Sequence, residues 1–342
     1  MPEYLPPVKV LQKVSLRDPY LVAAGPGTAN VGLRTVDYLR KQLAATHFAE
    51  ISPQGFFPAP YALSIEDGII KLKSADVGKE NPQNNFYYHV SGGPHDIVLF
   101  VGDTQPLQGK GLELARTVMD VARGLSVNKV FVAGAFITEI HHQDEPNVLA
   151  LVSNRESLEP LRKYGIQPAP PINPAFNIVT WLMTAALEKG IDVACLVAPI
   201  PFYVAEEGNG RACRALVRIL TRILEIDHIV PLGPWDQAVT EEDARMAVML
   251  SELRKSTDEG VRAFLEYLDS QEEAKEQKPD MAPMTLPESL KFIADLYQEA
   301  RMDKSKTARL AAELRKLSNT DRLQVLRALG PGLLELMGGQ IG

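Results

Sequence analysis

The chain has 342 residues and carries 36 Lys and Arg against 43 Asp and Glu, which gives a formal net charge of −7. This acidic balance argues against nucleic-acid binding, which needs an excess of basic side chains to displace counterions. No apolar run is long enough to span a membrane and the first residues, MPEYLPPVKV, carry no export signal, so we expect a cytoplasmic protein without a membrane partner.

Short apolar runs alternate with stretches of helical spacing in the first part of the chain. The predicted strands, each closed by Gly or Pro, are 20–24, 97–101, 129–133 and 192–198. Continuous apolar runs of this length are typical of strands buried on both faces of a parallel sheet. The predicted helices lie at about 30–45, 108–124, 155–164, 174–189 and 209–225. The alternation predicts an α/β domain with a mostly parallel sheet flanked by helices.

Residues 46–95 break this rhythm, because they are rich in Pro, Gly, Asn and Tyr. Ile65 and Ile69 belong to strand-like islands on either side of Gly68, which we interpret as a hairpin turn. We expect antiparallel strands at one edge of the sheet from this region. The segment 83–94 is predicted to be a loop over the sheet.

Glu, Lys, Leu and Ala dominate the last part of the chain, which predicts helices there. The pattern divides the chain into an α/β domain over 1–238 and an all-helical C-terminal extension over 239–342. A charged segment punctuated by Pro predicts a linker near 271–287. Further helices are predicted near 287–301, 303–317, 320–329 and 331–338.

The most pointed local motif is Gly25–Gly32, with the sequence GPGTANVG, between a predicted strand and a predicted helix. Gly25 and Gly27 keep side chains away from the turn and leave backbone N–H groups free at a helix N-terminus, which suits an anion. The spacing is neither a dinucleotide-binding fingerprint nor a P-loop. Two interpretations stay open: a tight turn whose glycines let the helix pack closely, or a ligand site.

The carboxyl ends of the strands in an open parallel sheet line one crevice. Polar residues that directly follow the predicted strands would face this crevice together with the glycine motif. The candidate ligand-binding cleft therefore consists of Gly25, Gly27, Asn30, Gly32, Asp103 and Glu139. The alternative is that such residues cap helices and satisfy turns.

Neither a metal nor a catalytic residue is predicted. The segment 138–146 contains His141 and His142, but it matches neither an HExxH helix nor a Cys/His finger, and we interpret it as an acidic surface loop. A Gly-x-Ser-x-Gly nucleophile elbow is absent. Cys195 and Cys213 are predicted to be buried thiols, and we expect no cofactor.

Three segments occur in a characteristic order: Leu21–Gly32 (LVAAGPGTANVG), Phe100–Pro106 (FVGDTQP) and Val130–Gly134 (VFVAG). Later segments follow in the same order: 145–150, 158–165, 172–181 and 190–203. With this order and spacing, over about residues 18–235, the chain resembles the bacterial and archaeal type of the proteasome assembly chaperone 2 (PAC2) family.

The resemblance implies a phosphorylase/hydrolase-like α/β fold, a homo-oligomer, and assistance in proteasome assembly rather than catalysis. It implies no catalytic residue. Archaeal relatives that bind the proteasome end in a hydrophobic–Tyr–any-residue tail. This sequence ends in Gln340, Ile341 and Gly342, without a penultimate Tyr, so the resemblance does not extend to docking through such a tail.

Two functions stay open from the sequence. The first is a non-enzymatic, oligomeric scaffold or assembly-chaperone-like protein whose C-terminal helices contact a protein partner; those helices could equally pack on their own domain. The second is an enzyme or sensor that binds a phosphate- or nucleoside-like molecule in the cleft. A filled cleft would favour the first function, and a cleft with convergent polar groups and perturbed carboxylates the second.

Overall fold

The structure, a computed structural model, describes residues 8–57, 61–66, 69–74, 82–170, 177–204, 209–276 and 291–302, with single positions between 306 and 325. The chain forms two compact units, residues 1–262 and 263–342. The division at residue 238 that the sequence suggests remains a prediction, and helix α6 (Gly233–Leu253) spans that position.

A mixed sheet forms the centre of the first unit. Its nine strands are β1 (Val8–Val10), β2 (Tyr20–Ala24), β3 (Thr46–Ile51), β6 (Asn84–His89), β7 (Ile97–Gly102), β8 (Lys129–Thr138), β9 (Leu149–Val152), β10 (Gln167–Pro168) and β11 (Asp192–Pro201). They lie in the order β1-β3-β6-β7-β2-β8-β11-β9-β10. The four strands of the middle, β7, β2, β8 and β11, are parallel to one another, as their continuous apolar runs predict. The predicted α/β class is confirmed.

The sheet becomes antiparallel on one side, where β7 pairs with β6, β6 with β3 and β3 with β1. This confirms the predicted antiparallel edge. The loop predicted over 83–94 is wrong, because Asn84–His89 forms strand β6 inside the sheet. Phe86 lies opposite Phe100 in this pairing, and both side chains are fully buried. A separate hairpin joins β4 (Tyr61–Glu66) and β5 (Ile69–Ser74); its turn at Gly68 lies outside the described residues.

Helices cover both faces of the sheet, because successive residues of each strand point to opposite sides. Val22 and Ala24 of β2 belong to one core, which the helices α1 (Val31–Gln42), α3 (Arg155–Arg162) and α5 (Gly210–Ile223) complete. Leu21 and Ala23 belong to the other core, under α2 (Gly111–Gly124) and α4 (Ile178–Glu188). All five helices begin within a few residues of where the sequence predicts.

The C-terminal part is helical, as predicted, with α7 (Glu259–Glu276) and α8 (Lys291–Met302) following α6. The linker predicted near 271–287 overlaps the end of α7, and its remainder lies outside the described residues. Most of the positions predicted to be helical after 303 also lie outside them. Among the helices that the structure describes, none has the length and apolarity needed to cross a membrane.

Candidate functional site

The glycine motif connects the carboxyl end of β2 to the first turn of α1. Ala29 and Asn30 have left-handed backbone conformations, with φ of 49° and 52°. This conformation costs about 1–2 kcal/mol for a residue such as Ala29, whereas Asn adopts it more readily. Asn30 is the N-cap of α1, but its exposed side chain makes no capping hydrogen bond. The surrounding structure therefore holds Ala29 in a conformation that its local preference disfavours.

Two of the glycines permit close packing. A Cβ atom on Gly32 would lie 2.0 Å from the carbonyl oxygen of Ala133 in β8, so α1 approaches the sheet at a distance that no side chain allows. A Cβ atom on Gly25 would lie 2.4 Å from Cγ2 of Ile178 at the start of α4. Gly27 has no neighbour closer than 3.7 Å to that position. These contacts favour the tight-turn interpretation of the motif.

The first turn of α4 lies over the ends of the central strands. Ile178 contacts Gly25, and Val179 lies 3.7 Å and 3.6 Å from the positions that Cβ atoms on Gly27 and Gly134 would take. Gly25 directly follows β2, and Gly134 lies in the carboxyl half of β8. Ile178 therefore packs directly against Gly25, and Val179 lies at ordinary contact distance from Gly27 and Gly134.

Gln105 joins two loops across the same region. Its Nε2 donates a hydrogen bond to the carbonyl oxygen of Pro26, and its Oε1 accepts one from the backbone N–H of Ile178 at 3.2 Å. Asn177 caps α4 in turn, since its Oδ1 accepts from the N–H groups of Val179 at 3.0 Å and Thr180 at 3.3 Å. The α4 N-terminus thus has protein partners for its free N–H groups.

Asp103 and Glu139, the two acids of the candidate cleft, are exposed and follow β7 and β8. The Asp103 carboxylate accepts hydrogen bonds from the N–H of Gln83 at 2.9 Å and from Oγ1 of Thr104 at 2.8 Å. The structure therefore places all six predicted residues near the carboxyl ends of the parallel strands. The Asp103 carboxylate is occupied by hydrogen bonds within its own turn. Whether these residues bind a ligand stays a prediction.

The histidines of the 138–146 segment contact an aromatic side chain from the loop after β11. The hydroxyl of Tyr203 accepts from the N–H of His142 at 2.9 Å and lies 3.1 Å from its Nδ1, while the rings of His141 and His142 are 4.1 Å apart. The described part of the chain contains no group of three or more His, Cys, Asp or Glu that could hold a metal. Burial raises the pKa of the Cys195 thiol to about 12, so this thiol is protonated at neutral pH.

A second polar cluster lies at the amino ends of β8 and β11, opposite to the candidate cleft. Ser153 and Ser157 donate hydrogen bonds to Oδ1 of Asp192 at 2.6 Å and 2.5 Å, and Lys129 lies 3.0 Å from Oδ2. Burial raises the pKa of Asp192, but these donors and the Lys129 ammonium outweigh it and hold the pKa below its usual value. Because such a carboxylate is a poor general base, the cluster anchors α3 to β11 rather than activating a hydroxyl.

Sequence reasoning missed Asn84, which is 1% exposed at the start of β6. It lies opposite Gly102, and a Cβ atom there would be 3.0 Å from its Oδ1. Within the described residues, neither its Oδ1 nor its Nδ2 has a hydrogen-bond partner. The only signal in the sequence is a pair of asparagines that opens an aromatic run.

Asn84→Leu is expected to raise the free energy of unfolding by about 1 kcal/mol, because a buried amide without partners costs about 1–3 kcal/mol. Denaturant unfolding monitored by circular dichroism measures this change. The control is Asn85→Leu, which removes a side chain that donates to Oε1 of Gln83 at 2.9 Å and is expected to destabilise. A loss of stability in Asn84→Leu would contradict the expectation that the unpaired amide costs free energy at this position.

Comparison with known proteins gives the family. The model of the PAC2 family matches residues 21–250, which includes β2 from its second residue and every later strand up to β11. The chain belongs to the PAC2 family. The resemblance stated from the order of the segments is thereby confirmed. No curated protein matches the PAC2 chain.

Solved structures of similar fold cover about the same part of this PAC2 protein. An archaeal proteasome activator, PbaB of Pyrococcus furiosus, is 19% identical. The match covers 71% of this chain and 97% of the PbaB chain, with a TM-score of 0.58. A PAC2 family protein of Streptomyces avermitilis is 20% identical, with 73% and 100% coverage and a TM-score of 0.55. The proteasome-assembly chaperone homologue of Mycobacterium tuberculosis is 19% identical, with 72% and 99% coverage and a TM-score of 0.54. At these identities the likeness establishes the fold alone.

Proposed function

We propose that this PAC2 protein is a non-enzymatic, cytoplasmic, oligomeric assembly chaperone that works through protein surfaces. The observation that carries the proposal is the packing of the start of α4 over the carboxyl ends of the central strands. Ile178, Val179 and Gln105 lie there, where α/β enzymes usually bind their ligands. Family membership supports an assembly-chaperone-like role, and relatives of similar fold are described as a proteasome activator and a proteasome-assembly chaperone homologue.

A projecting ribbon offers one protein-binding surface. β8 and β11 pair over ten residues, whereas β2 pairs with β8 only as far as Val132, so the ends of β8 and β11 extend past their neighbours. Ile137 near the tip is 53% exposed and Phe202 just after it is 48% exposed. Exposed apolar and aromatic side chains near one another favour a protein interface. The C-terminal helices are the second proposed contact with a partner.

The proposed function is tested by reconstitution. Separately purified α- and β-type proteasome subunits of the same organism are mixed with and without the full-length chain, and assembly is followed on native gels over time. We expect the chain to accelerate the appearance of assembly intermediates and to be retained in them. Phe202→Asp is expected to weaken this effect. The matched control is Val90→Asp, which changes an exposed apolar residue directly after β6.

Native mass spectrometry of the same preparations tests the enzyme or sensor alternative. A defined homo-oligomer that binds the subunits without a small molecule supports the assembly function. An unchanged assembly time course, together with no complex between the chain and either subunit, would contradict it. A stoichiometric small molecule released on collision, whose binding Asn30→Ala abolishes, would establish the cleft as a ligand site.

A further inference from the structure

The first half of α6 is fixed to the rest of the first unit. Trp235 is buried, and Asp236 lies 2.8 Å from the guanidinium of Arg214 in α5. Both carboxylate oxygens of Glu242 accept hydrogen bonds from the backbone N–H of Gly210, at 2.9 Å and 2.7 Å. This interaction satisfies a free N–H at the start of α5. The helix therefore leaves the domain in a fixed direction.

The second half of α6 is apolar and largely exposed. The stretch 244–250 has the sequence ARMAVML, with a single charged residue. Val248 is 65% exposed and Met249 is 40% exposed, whereas the buried positions of the helix, Trp235 and Val239, lie in its first half. Exposed apolar side chains on a rigid helix form a surface suited to another helix. Methionine adapts its shape to such a contact.

Two opposite charges border this apolar centre symmetrically. Arg245 precedes Val248 by three residues, and Glu252 follows Met249 by three residues, so that the four lie along one side of about two helical turns. Both charged residues are exposed. Arg245 lies one turn from Glu242, which faces Gly210, and Glu252 contacts Lys255 at 2.6 Å. The Glu252–Lys255 pair is highly exposed and contributes little to stability.

This pattern is complementary to itself in one orientation. A two-fold axis level with the midpoint between Val248 and Met249 makes two copies of α6 antiparallel, so that Val248 and Met249 of one helix pack against Val248 and Met249 of the other. The same axis places each Arg245 beside the partner's Glu252, which forms two ion pairs. A parallel arrangement would instead place Arg245 beside Arg245 and Glu252 beside Glu252. A two-fold interface requires a self-complementary patch of this kind.

We infer that residues 244–253 of α6 form a homodimer interface, in which the helix packs antiparallel against α6 of a second copy. This inference rests on the oligomeric state in the proposed function and names the surface that creates it. The fixed first half of α6 lowers the cost of binding, because the helix is ordered before it meets its partner.

Charge reversal with rescue tests the interface. In the full-length protein, Arg245→Glu or Glu252→Arg alone converts both ion pairs into repulsive contacts, and each is expected to raise the dimer Kd about tenfold. The double variant restores two opposite-charge contacts, so its Kd is expected to return to within about threefold of the starting value. Sedimentation velocity across a concentration series measures all four proteins, and circular dichroism confirms that they are folded.

The apolar centre is tested with Val248→Asp, which is expected to yield monomers. Leu187→Asp is the matched control, because Leu187 is 52% exposed near the end of another helix, α4, and is expected to leave the dimer unchanged. Val248→Cys adds a direct geometric readout, since both native cysteines are buried and the new thiols are expected to crosslink on mild oxidation.

The outcomes separate this inference from the proposed function. Weakening by each single reversal with rescue by the double variant supports the α6 interface. An oligomer whose Kd none of these variants changes would overturn the interface and leave the oligomeric proposal standing. A chain that is monomeric at every concentration would overturn both the interface and the oligomeric state. The reconstitution assay tests the assembly role independently of this result.

Discussion

Gly32→Ala is expected to lower the free energy of unfolding by about 3 kcal/mol or more, because overpacking against a rigid neighbour is among the costliest point changes. The new methyl group would lie 2.0 Å from the Ala133 carbonyl oxygen and 2.6 Å from its carbon. These are backbone atoms of a central strand, so no side-chain rotation relieves the clash. Chemical denaturation with circular dichroism measures the change.

The expected loss of stability is informative, because a Gly-to-Ala exchange in a helix usually has the opposite effect. Gly32 lies within α1, where exchanging Gly for Ala in an open helix position raises stability by up to about 1 kcal/mol. The control in the same motif is Gly27→Ala, whose Cβ would lie 3.7 Å from its nearest neighbour and which is expected to change stability by less than about 1 kcal/mol. Equal effects of the two substitutions would contradict the packing role of Gly32.

The central fold could be predicted because its signals are local. The runs that became β2, β7, β8 and β11 are continuously apolar, and burial on both faces of a parallel sheet requires that pattern. The helices between them have apolar residues at helical spacing. Their order along the chain, rather than any single motif, also carried the resemblance to the family that the comparison confirmed.

Strand β6 could not be predicted because its partners are not local. The segment 84–89, NNFYYH, opens with two polar residues and lies close to a run of Gly and Pro, a composition typical of loops. It is a strand because β3 and β7 pair with its two edges, and because its aromatic side chains find buried neighbours. Tertiary packing therefore overrides the local preference.

The candidate site shows the same limit. The sequence placed the glycine motif, Asp103 and Glu139 at one edge of the sheet, which follows from strand direction alone. It could not show that Gln105 and the start of α4 lie over these strand ends, because the contacts that hold them there join distant segments. Gln105 and Ile178 are 73 residues apart in the sequence. Residues that close a cleft carry no chemical signature, unlike those that bind a ligand.

Phe86→Ala is expected to lower the free energy of unfolding by about 3–5 kcal/mol, the range for removing a buried aromatic ring. Phe86 is fully buried, and its ring centroid lies 5.0 Å from that of Phe100 and 6.0 Å from that of Phe48. The control is Val90→Ala, just beyond β6, where a 61% exposed side chain is expected to change stability by less than about 0.5 kcal/mol. Denaturant unfolding measures both variants.

The position of β6 adds a second expected result for Phe86→Ala. Among the strands that the structure describes, β6 is the one that joins β3 and β1 to the parallel strands. Weakening its packing should therefore release these strands before the rest of the sheet, and native-state hydrogen exchange should become faster in β3 than in β8. If exchange rose equally in both strands, the edge would unfold together with the centre. If stability fell by less than about 1 kcal/mol, the placement of Phe86 in the core would be contradicted.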